Sequence, residues 1–423
     1  MSERRPTASV LVTGSELLTG HVADANGPFT ARSLTDLGFA VRRVLLVGDR
    51  PDDLRAALEH VADDDLVVTS GGLGPTADDL TAEVVAEFAG APMEPDAALQ
   101  ERIHARVAGW ASRAGWDGPA LDAATAKQAR VPHGASVLEP VGTAPGLVVG
   151  RAGGPLVVVL PGPPRELTGM WPAALASGPV AELLARVPQA EPVLLRFAGL
   201  PESEIAETLR GIGAELDLSR VEVTTCLRRS ELEVDLRPLP GAERVAADLA
   251  ERIVGRHRRA LLSADGRSTD ELLAEALTGR GWTVATGESC TGGLLAGRLV
   301  DRAGSSAYVA GGVVAYSDAA KTALLDVPAA LIAEHGAVSP EVARALADGA
   351  RARFGADVGV GITGVAGPGG GTEAKPVGYV CFCVTTSDGQ VLARAPRLSG
   401  GRTDVRERSV DLAMHLLLRA ATP

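Results

Sequence analysis

Lysine is scarce in this chain. Among its 41 basic residues only Lys127, Lys321 and Lys375 are lysines, and the rest are arginines. Arginine keeps its proton at any working pH, whereas lysine can lose it. Each lysine is therefore a chance survivor or a position where arginine does not serve. Cysteine is scarce too. Cys226, Cys290, Cys381 and Cys383 show no CxxC spacing and no neighbouring histidine pair, which argues against a zinc site. So few cysteines do not make a disulfide framework, and a reducing, cytoplasmic setting is expected. Positive charge is not in excess. The net charge of −12 argues against a binder held by nucleic-acid phosphates, and no direct nucleic-acid partner is expected. Small phosphorylated ligands stay open, because they need only one or two local charges. Long apolar runs are missing. No stretch approaches the roughly 18 residues of a membrane span, so no membrane association is expected. The start, MSERRPTASV, lacks the apolar core of a secretory signal.

What is present is ample core material, 46% hydrophobic residues. At roughly 100–200 residues per domain the length allows two to four domains. Residues 1–170 alternate strand and helix patterns, and strands are expected at Ser9–Thr13, Val41–Val47, Asp65–Ser70 and Leu156–Leu160. Apolar, β-branched runs bounded by Gly, Pro and Asp read as buried parallel strands. Helices are expected at Pro51–Val61 and Asp78–Phe88, which makes a doubly wound, three-layer α/β domain. Residues 171–262 read as a small α+β linking domain. Its strands are Val193–Ala198, Val221–Leu227 and Glu231–Leu236, the last two joined by a hairpin at Arg228–Ser230. Its helices lie near Glu202–Leu209 and Glu243–Val254. The run Arg256-His257-Arg258-Arg259 either binds phosphate or, more ordinarily, is a solvated helix end. Residues 263–423 form another three-layer α/β unit. Ser268 and Glu271 make a capping box, and Gly279 and Gly281 end that helix. Strands follow at Trp282–Thr286, Tyr308–Tyr316, Asp357–Thr363 and Val377–Val384. Ser339-Pro340 opens a helix with the stripe Val342, Leu346, Ala350 and Phe354.

Three segments of the last block can carry chemistry. Gly287–Gly293 follows a strand and precedes a helix at Leu294–Val300. A serine there, Ser289, would face free backbone N–H groups and the positive end of the helix dipole, which suits a nucleophile that generates an oxyanion. It would equally suit a plain helix cap. Gly311–Lys321 holds Tyr316 and Lys321. Serine needs a base, and a buried lysine can be one, with Tyr316 holding it or relaying a proton. The plainer alternatives are a surface lysine and a core aromatic. Gly361–Thr372 is rich in glycine, with Thr363 at a strand end. Its N–H groups would cradle a phosphate, line an oxyanion hole or simply form a flexible turn.

In the first block, Gly14–Gly20 and Ser70–Asp79 fall at strand C-termini, where open α/β sheets bind ligands. Glu16, Asp49, Asp78 and Asp79 are candidates to hold a divalent cation against a pyrophosphate. Asp78 and Asp79 also suit a helix first turn.

ESCTGG (Glu288–Gly293), GGVVAYSDAAK (Gly311–Lys321), HGAVS (His335–Ser339), ADVGVGITGVAGPGGGT (Ala356–Thr372) and KPVG (Lys375–Gly378) are long and ordered. Over roughly 265–420 they resemble the nicotinamide-mononucleotide deamidases, the C-terminal domain of CinA-like (competence/damage-inducible) proteins. The resemblance implies Ser289 as nucleophile, Lys321 as base, Tyr316 beside it, and Thr363 helping the oxyanion or the substrate amide. It implies hydrolysis of nicotinamide mononucleotide without a metal, in pyridine-nucleotide salvage. Cys290, Thr291, Gly292 and Gly293 would line the substrate, and Gly364, Gly367 and Gly371 belong to the loop expected at its phosphate or ribose. Gly287 stands where many relatives carry alanine.

Residues 7–170 resemble the molybdopterin-binding-like domain at the N-terminus of the same family. The GELL-type and GGLGPTxDD motifs carry the match, with Arg165-Glu166 in the closing motif. That implies a site at Glu16, Gly71, Gly72, Gly74 and Thr76, with Asp49, Asp78 and Asp79 on a divalent metal. Some members hydrolyse ADP-ribose with such a metal. Ser15 departs from the acidic or amide residue usual before Glu16, which puts that activity in doubt. A homo-oligomer is implied by the same likeness. A non-catalytic binding protein of DNA-uptake or repair machinery is the third reading, and the acidic charge weighs against its direct contact with DNA.

Overall fold

The computed structural model describes residues 5–114, 118–188 and 191–422, with the backbone alone for 108–114. The chain divides into two compact units, Met1–Gln189 and Ala190–Pro423. The break falls later than the expected boundary at 170. The helix Gly178–Leu184 belongs to the first unit because Val180, Leu183 and Val187 pack into its core with Trp171 and Leu34.

The first unit is built on a six-stranded sheet in the order Ala40–Val47, Thr7–Thr13, Leu66–Ser70, Leu156–Leu160, Gly146–Gly150, Ser136–Leu138. The first four strands run parallel and the last two antiparallel. Thr7–Thr13 is buried along its whole length, as an inner strand covered on both faces must be. Apolar side chains fill both faces, with Val10, Val12, Val68 and Val158 on one and Leu11, Val67, Val157 and Val159 on the other. One helix begins later than its sequence suggests. It spans Thr81–Ala89, and Asp78 and Asp79 lie in the turn before it. Their short oxygens bond within that turn, which competes with helix at this point.

The second unit holds two sheets. Val221–Arg228, Glu231–Pro238, Val193–Ala198 and Leu261–Ser263 form an antiparallel one, with helices Glu202–Gly213 and Glu243–His257 packed on it. The other has the order Val309–Val314, Val284–Glu288, Val358–Gly364, Val380–Thr386, Val391–Arg394. Its first three strands are parallel and the remainder antiparallel. Helices Thr269–Arg280 and Arg402–Ala421 cover one face through Leu273, Leu277, Ala413 and Leu417. The helix Pro340–Phe354 covers the other, with Val342, Leu346 and Ala350 buried. It lies very close to the sheet. A Cβ on Gly361 would sit 1.9 Å from Ala343 O, so only glycine fits that strand position. The Ser268–Glu271 capping box forms as expected, but the helix runs through Gly279 and ends at Gly281, whose φ is 63°. The strand expected to reach Tyr316 stops at Val314. Among the described residues no helix is long and apolar enough to cross a membrane.

Candidate active site

Parallel pairing brings three loops to one edge of the five-stranded sheet. Glu288 is level with Ile362 on one side and with Val314 on the other. The next residues continue the ladder: Ser289 N–H donates to Ile362 O at 2.9 Å and Ala315 N–H to Glu288 O at 2.7 Å. Ser289, Thr363 and the start of the Tyr316 loop therefore meet at the carboxyl ends of adjacent strands, where open α/β sheets place ligands.

Ser289 does not sit on the helix N-terminus as its sequence position suggests. The helix Leu294–Val300 begins further on, after a turn through Gly292 and Gly293 at φ 63° and 91°. The helix N–H groups are not free for it either. Buried Glu288, 1% exposed, takes Gly293 N–H at 3.0 Å and Leu295 N–H at 3.1 Å on Oε2. Its Oε1 takes Ala296 N–H at 2.8 Å and the Thr286 hydroxyl at 3.2 Å. The carboxylate thus caps the helix and neutralises its positive end. Sequence reasoning gives Glu288 no role, although an acid just ahead of a helix start is a signal that points to one.

Cys290 lies beside the serine but is a poor rival nucleophile. Burial, with the Glu288 charge adding to it, pushes its thiol up to about 12, and the thiolate is the reactive form. The loop is also clamped from outside. Arg406 Nε donates to Cys290 O at 3.1 Å and its Nη2 to Thr291 O at 2.9 Å. Thr291 is fully buried in this loop.

Lys321 is 2% exposed, on the helix Asp318–Leu325 that Ser317 caps. The surface position open from sequence is excluded. Its Nζ donates to Tyr316 O at 3.1 Å and to Asp318 Oδ1 at 3.4 Å. Among the described residues no hydrogen bond joins it to Ser289. Tyr316 is not a core aromatic, being 59% exposed. Its hydroxyl accepts from Arg402 Nη2 at 3.0 Å rather than meeting the lysine. Arg402 Nη1 donates to Gly367 O at 2.8 Å. Arg402 and Arg406, one turn apart on the terminal helix, thus tie the loop containing Gly364, Gly367 and Gly371 and the loop Cys290–Gly293 to one another. Neither arginine is evident from sequence; the terminal helix is distant in the chain from everything it touches here. Of the two roles expected of Thr363, contact with the substrate amide fits better than help to the oxyanion. Its hydroxyl donates to Ala337 O at 2.7 Å, which leaves an acceptor rather than a donor for a substrate.

The first unit is arranged differently. Asp49 takes the Ser15 N–H at 2.8 Å and hydroxyl at 2.6 Å, so the unusual Ser15 has its own local partner. Asp79 takes the Thr76 N–H at 2.9 Å and hydroxyl at 2.6 Å, and Asp78 also accepts from that hydroxyl. The Thr76 hydrogen bond holds the Asp78 carboxyl below its ordinary range. Lys127 reaches Thr76 O. Gly71 and Gly72 have φ of 108° and 64°, and a Cβ on Gly74 would lie 2.4 Å from Asp79. Glu16 is exposed on the short helix Ser15–Leu18. Asp49 and Asp78 line one small cavity, Asp79 another. Among the described residues no three His, Cys, Asp or Glu side chains come together to hold a metal ion. Asp49, Asp78 and Asp79 are thus not gathered into the set of ligands expected of them; one oxygen of Asp49 is held by Ser15, and one each of Asp78 and Asp79 by Thr76.

Known proteins place both units. Residues 267–421 match the family model described as the CinA C-terminal domain, and residues 9–179 that of a probable molybdopterin binding domain. A CinA-like protein of Mycobacterium sp. (strain MCS) is 55% identical over 421 residues, covering 98% of each chain. One from Mycolicibacterium vanbaalenii is 54% identical over 419 residues with the same coverage. Among solved structures, a competence/damage inducible protein of Agrobacterium tumefaciens is 40% identical, covers 36% of this chain and 96% of its own, and has a TM-score of 0.35. An α/β domain of the molybdopterin-binding type followed by a serine-bearing α/β domain is the class so defined. The chain belongs to the family of CinA-like proteins.

Proposed function

We propose that the second unit hydrolyses the carboxamide of nicotinamide mononucleotide to nicotinate mononucleotide and ammonia, in pyridine-nucleotide salvage. The observation that carries the reading is a buried lysine on the helix that follows the strand next to Ser289. A lysine shut away from water, on the helix that follows the strand paired with the serine's own, suits a base that activates a hydroxyl.

Lys321 takes the Ser289 proton as Oγ attacks the carboxamide carbon. The C–N bond then breaks, and ammonia leaves with the proton that Lys321 returns. Water attacks the resulting ester and Lys321 takes its proton; the carbonyl C–Oγ bond then breaks, Lys321 returns the proton to Ser289 Oγ, and nicotinate mononucleotide departs. In the structure Nζ is turned to Tyr316 O and Asp318. The step requires it to swing toward Ser289, which its flexible stem allows; such contacts commonly tighten only with substrate. Arg402 bonds two neutral oxygens, Gly367 O and the Tyr316 hydroxyl, so its charge is available for the substrate phosphate near Gly367. The thiol of Cys290 stays protonated and takes no part.

The test is to supply the intact protein with nicotinamide mononucleotide, with and without a chelator. Equal yields of ammonia and nicotinate mononucleotide, unaffected by chelator, are expected. Absence of ammonia, or its loss on chelation, would overturn the reading.

A further inference from the structure

At the tip of the hairpin between Val221–Arg228 and Glu231–Pro238, two residues that are not glycine occupy the left-handed region. Arg229 has φ 51° and Ser230 φ 58°. A two-residue turn with both φ positive ordinarily takes Asn-Gly, and other residues are disfavoured there. Such strain persists where surrounding contacts over-determine it. The side chains supply those contacts by reaching out of the turn. Ser230 Oγ donates to Asp411 Oδ2 at 2.7 Å, and Arg229 Nη1 reaches Asp270 at 3.5 Å.

These two carboxylates are the hubs of a network. Asp411 Oδ1 accepts from Arg298 Nη1 at 2.6 Å. Arg298 holds Asp270 through two further bonds of 2.8 Å each. The side chains of Arg298 and Asp411 are 8% and 10% exposed. Their helices matter for the site. Arg298 lies on Leu294–Val300, whose first N–H groups bind Glu288. Asp411 lies on Arg402–Ala421, which carries Arg406 and its hold on Cys290 and Thr291.

We infer that the hairpin tip is a positioning clamp for the Ser289 loop. Arg229 and Ser230 hold the helices Leu294–Val300 and Arg402–Ala421 in the mutual register that Glu288 and Arg406 require. They touch no substrate: Ser230 acts on the terminal helix through Asp411, and Arg229 acts on Asp270 of the helix Thr269–Arg280 and through it on Arg298. The kinetic consequence rests on the amide-hydrolysis reading; the structural one does not.

The test is the double variant Arg229→Asn, Ser230→Gly in the full chain. Asn-Gly is the preferred sequence for the turn, so the hairpin stays formed while the contacts to Asp270 and Asp411 are lost. Hydrogen exchange reads the loop directly. The amides of Leu295 and Ala296 are expected to exchange roughly ten-fold faster than in the native protein, with the thermal midpoint little changed. With nicotinamide mononucleotide, kcat is expected to fall about five-fold with KM nearly constant, as misplacement of a reacting group predicts. Unchanged exchange at 288–296 would overturn the clamp. Faster exchange in a protein whose native form releases no ammonia would uphold the clamp and defeat the amide reading alone.

Discussion

Glu288 accepts the backbone N–H of Ala296 at 2.8 Å, across the turn that holds the candidate nucleophile. With the bonds from Gly293 and Leu295, this makes one buried carboxylate both the cap of a helix and the brace of the Ser289 loop. Replacing it by Gln keeps the size but removes the charge that three N–H groups share. Hydrogen bonds to charged groups contribute about 1.5–3 kcal/mol, so Glu288→Gln should lower stability by about that amount. Loss of loop geometry should slow turnover by about ten-fold or more. Chemical denaturation and kcat check the two parts.

Lys321 is the base of the proposed reaction, and general acid–base groups typically contribute about 10²- to 10⁴-fold. Lys321→Met should therefore cost about that factor in kcat while filling the same buried space. Lys321→Arg should be no better, because guanidinium does not deprotonate. Recovery of native turnover by the arginine variant would remove lysine from the mechanism.

Cys290 should be chemically silent. With its thiol pushed up to about 12, almost no thiolate exists at pH 8. Alkylation with iodoacetamide at that pH should modify exposed Cys226 and leave Cys290 untouched, as peptide mass analysis would show. Cys290→Ala should keep most of the activity.

Arg402 should read the phosphate. Loss of one charge-assisted contact is worth about 1.5–3 kcal/mol, which is roughly ten- to a hundred-fold in KM. Arg402→Ala should raise KM for nicotinamide mononucleotide by that order and change KM for the riboside far less. Equal effects on the two substrates would point to a loop-bracing role alone.

Acid should loosen the second unit. Burial by itself raises the Asp270 pKa, but the hydrogen bonds and charge of Arg298 outweigh it and hold the carboxyl below its ordinary 3.8. A depressed folded pKa stabilises above the unfolded value and is lost as pH falls through the folded one. Stability in urea should thus fall off below about pH 4, and Asp270→Asn should flatten that limb. Arg298→Ala leaves Asp411 with only the Ser230 hydroxyl and Asp270 with only the longer contact to Arg229, and should lower stability at neutral pH.

Sheet strands are legible in the sequence because their cause is local. Runs such as Leu66–Ser70 and Val358–Gly364 are apolar, β-branched and bounded by turn residues, and they fold where the pattern places them. The serine loop and the lysine helix are legible for the same reason. The partners are not. Arg406 contacts Cys290 and Thr291 across more than a hundred residues, and no local period announces it. Tyr316 departs from its expected place because its strand ends early and sends the ring outward to Arg402. Asp78 and Asp79 read from sequence as a helix start or metal ligands, whereas Thr76 engages both within a turn.

The central claim is that Ser289 becomes acylated during turnover. Acid-quenching the protein during reaction with nicotinamide mononucleotide and analysing its peptides by mass tests this directly. A nicotinoyl-nucleotide adduct is expected on the peptide containing Ser289, absent along with ammonia release in Ser289→Ala. Native-rate ammonia release from Ser289→Ala would contradict it.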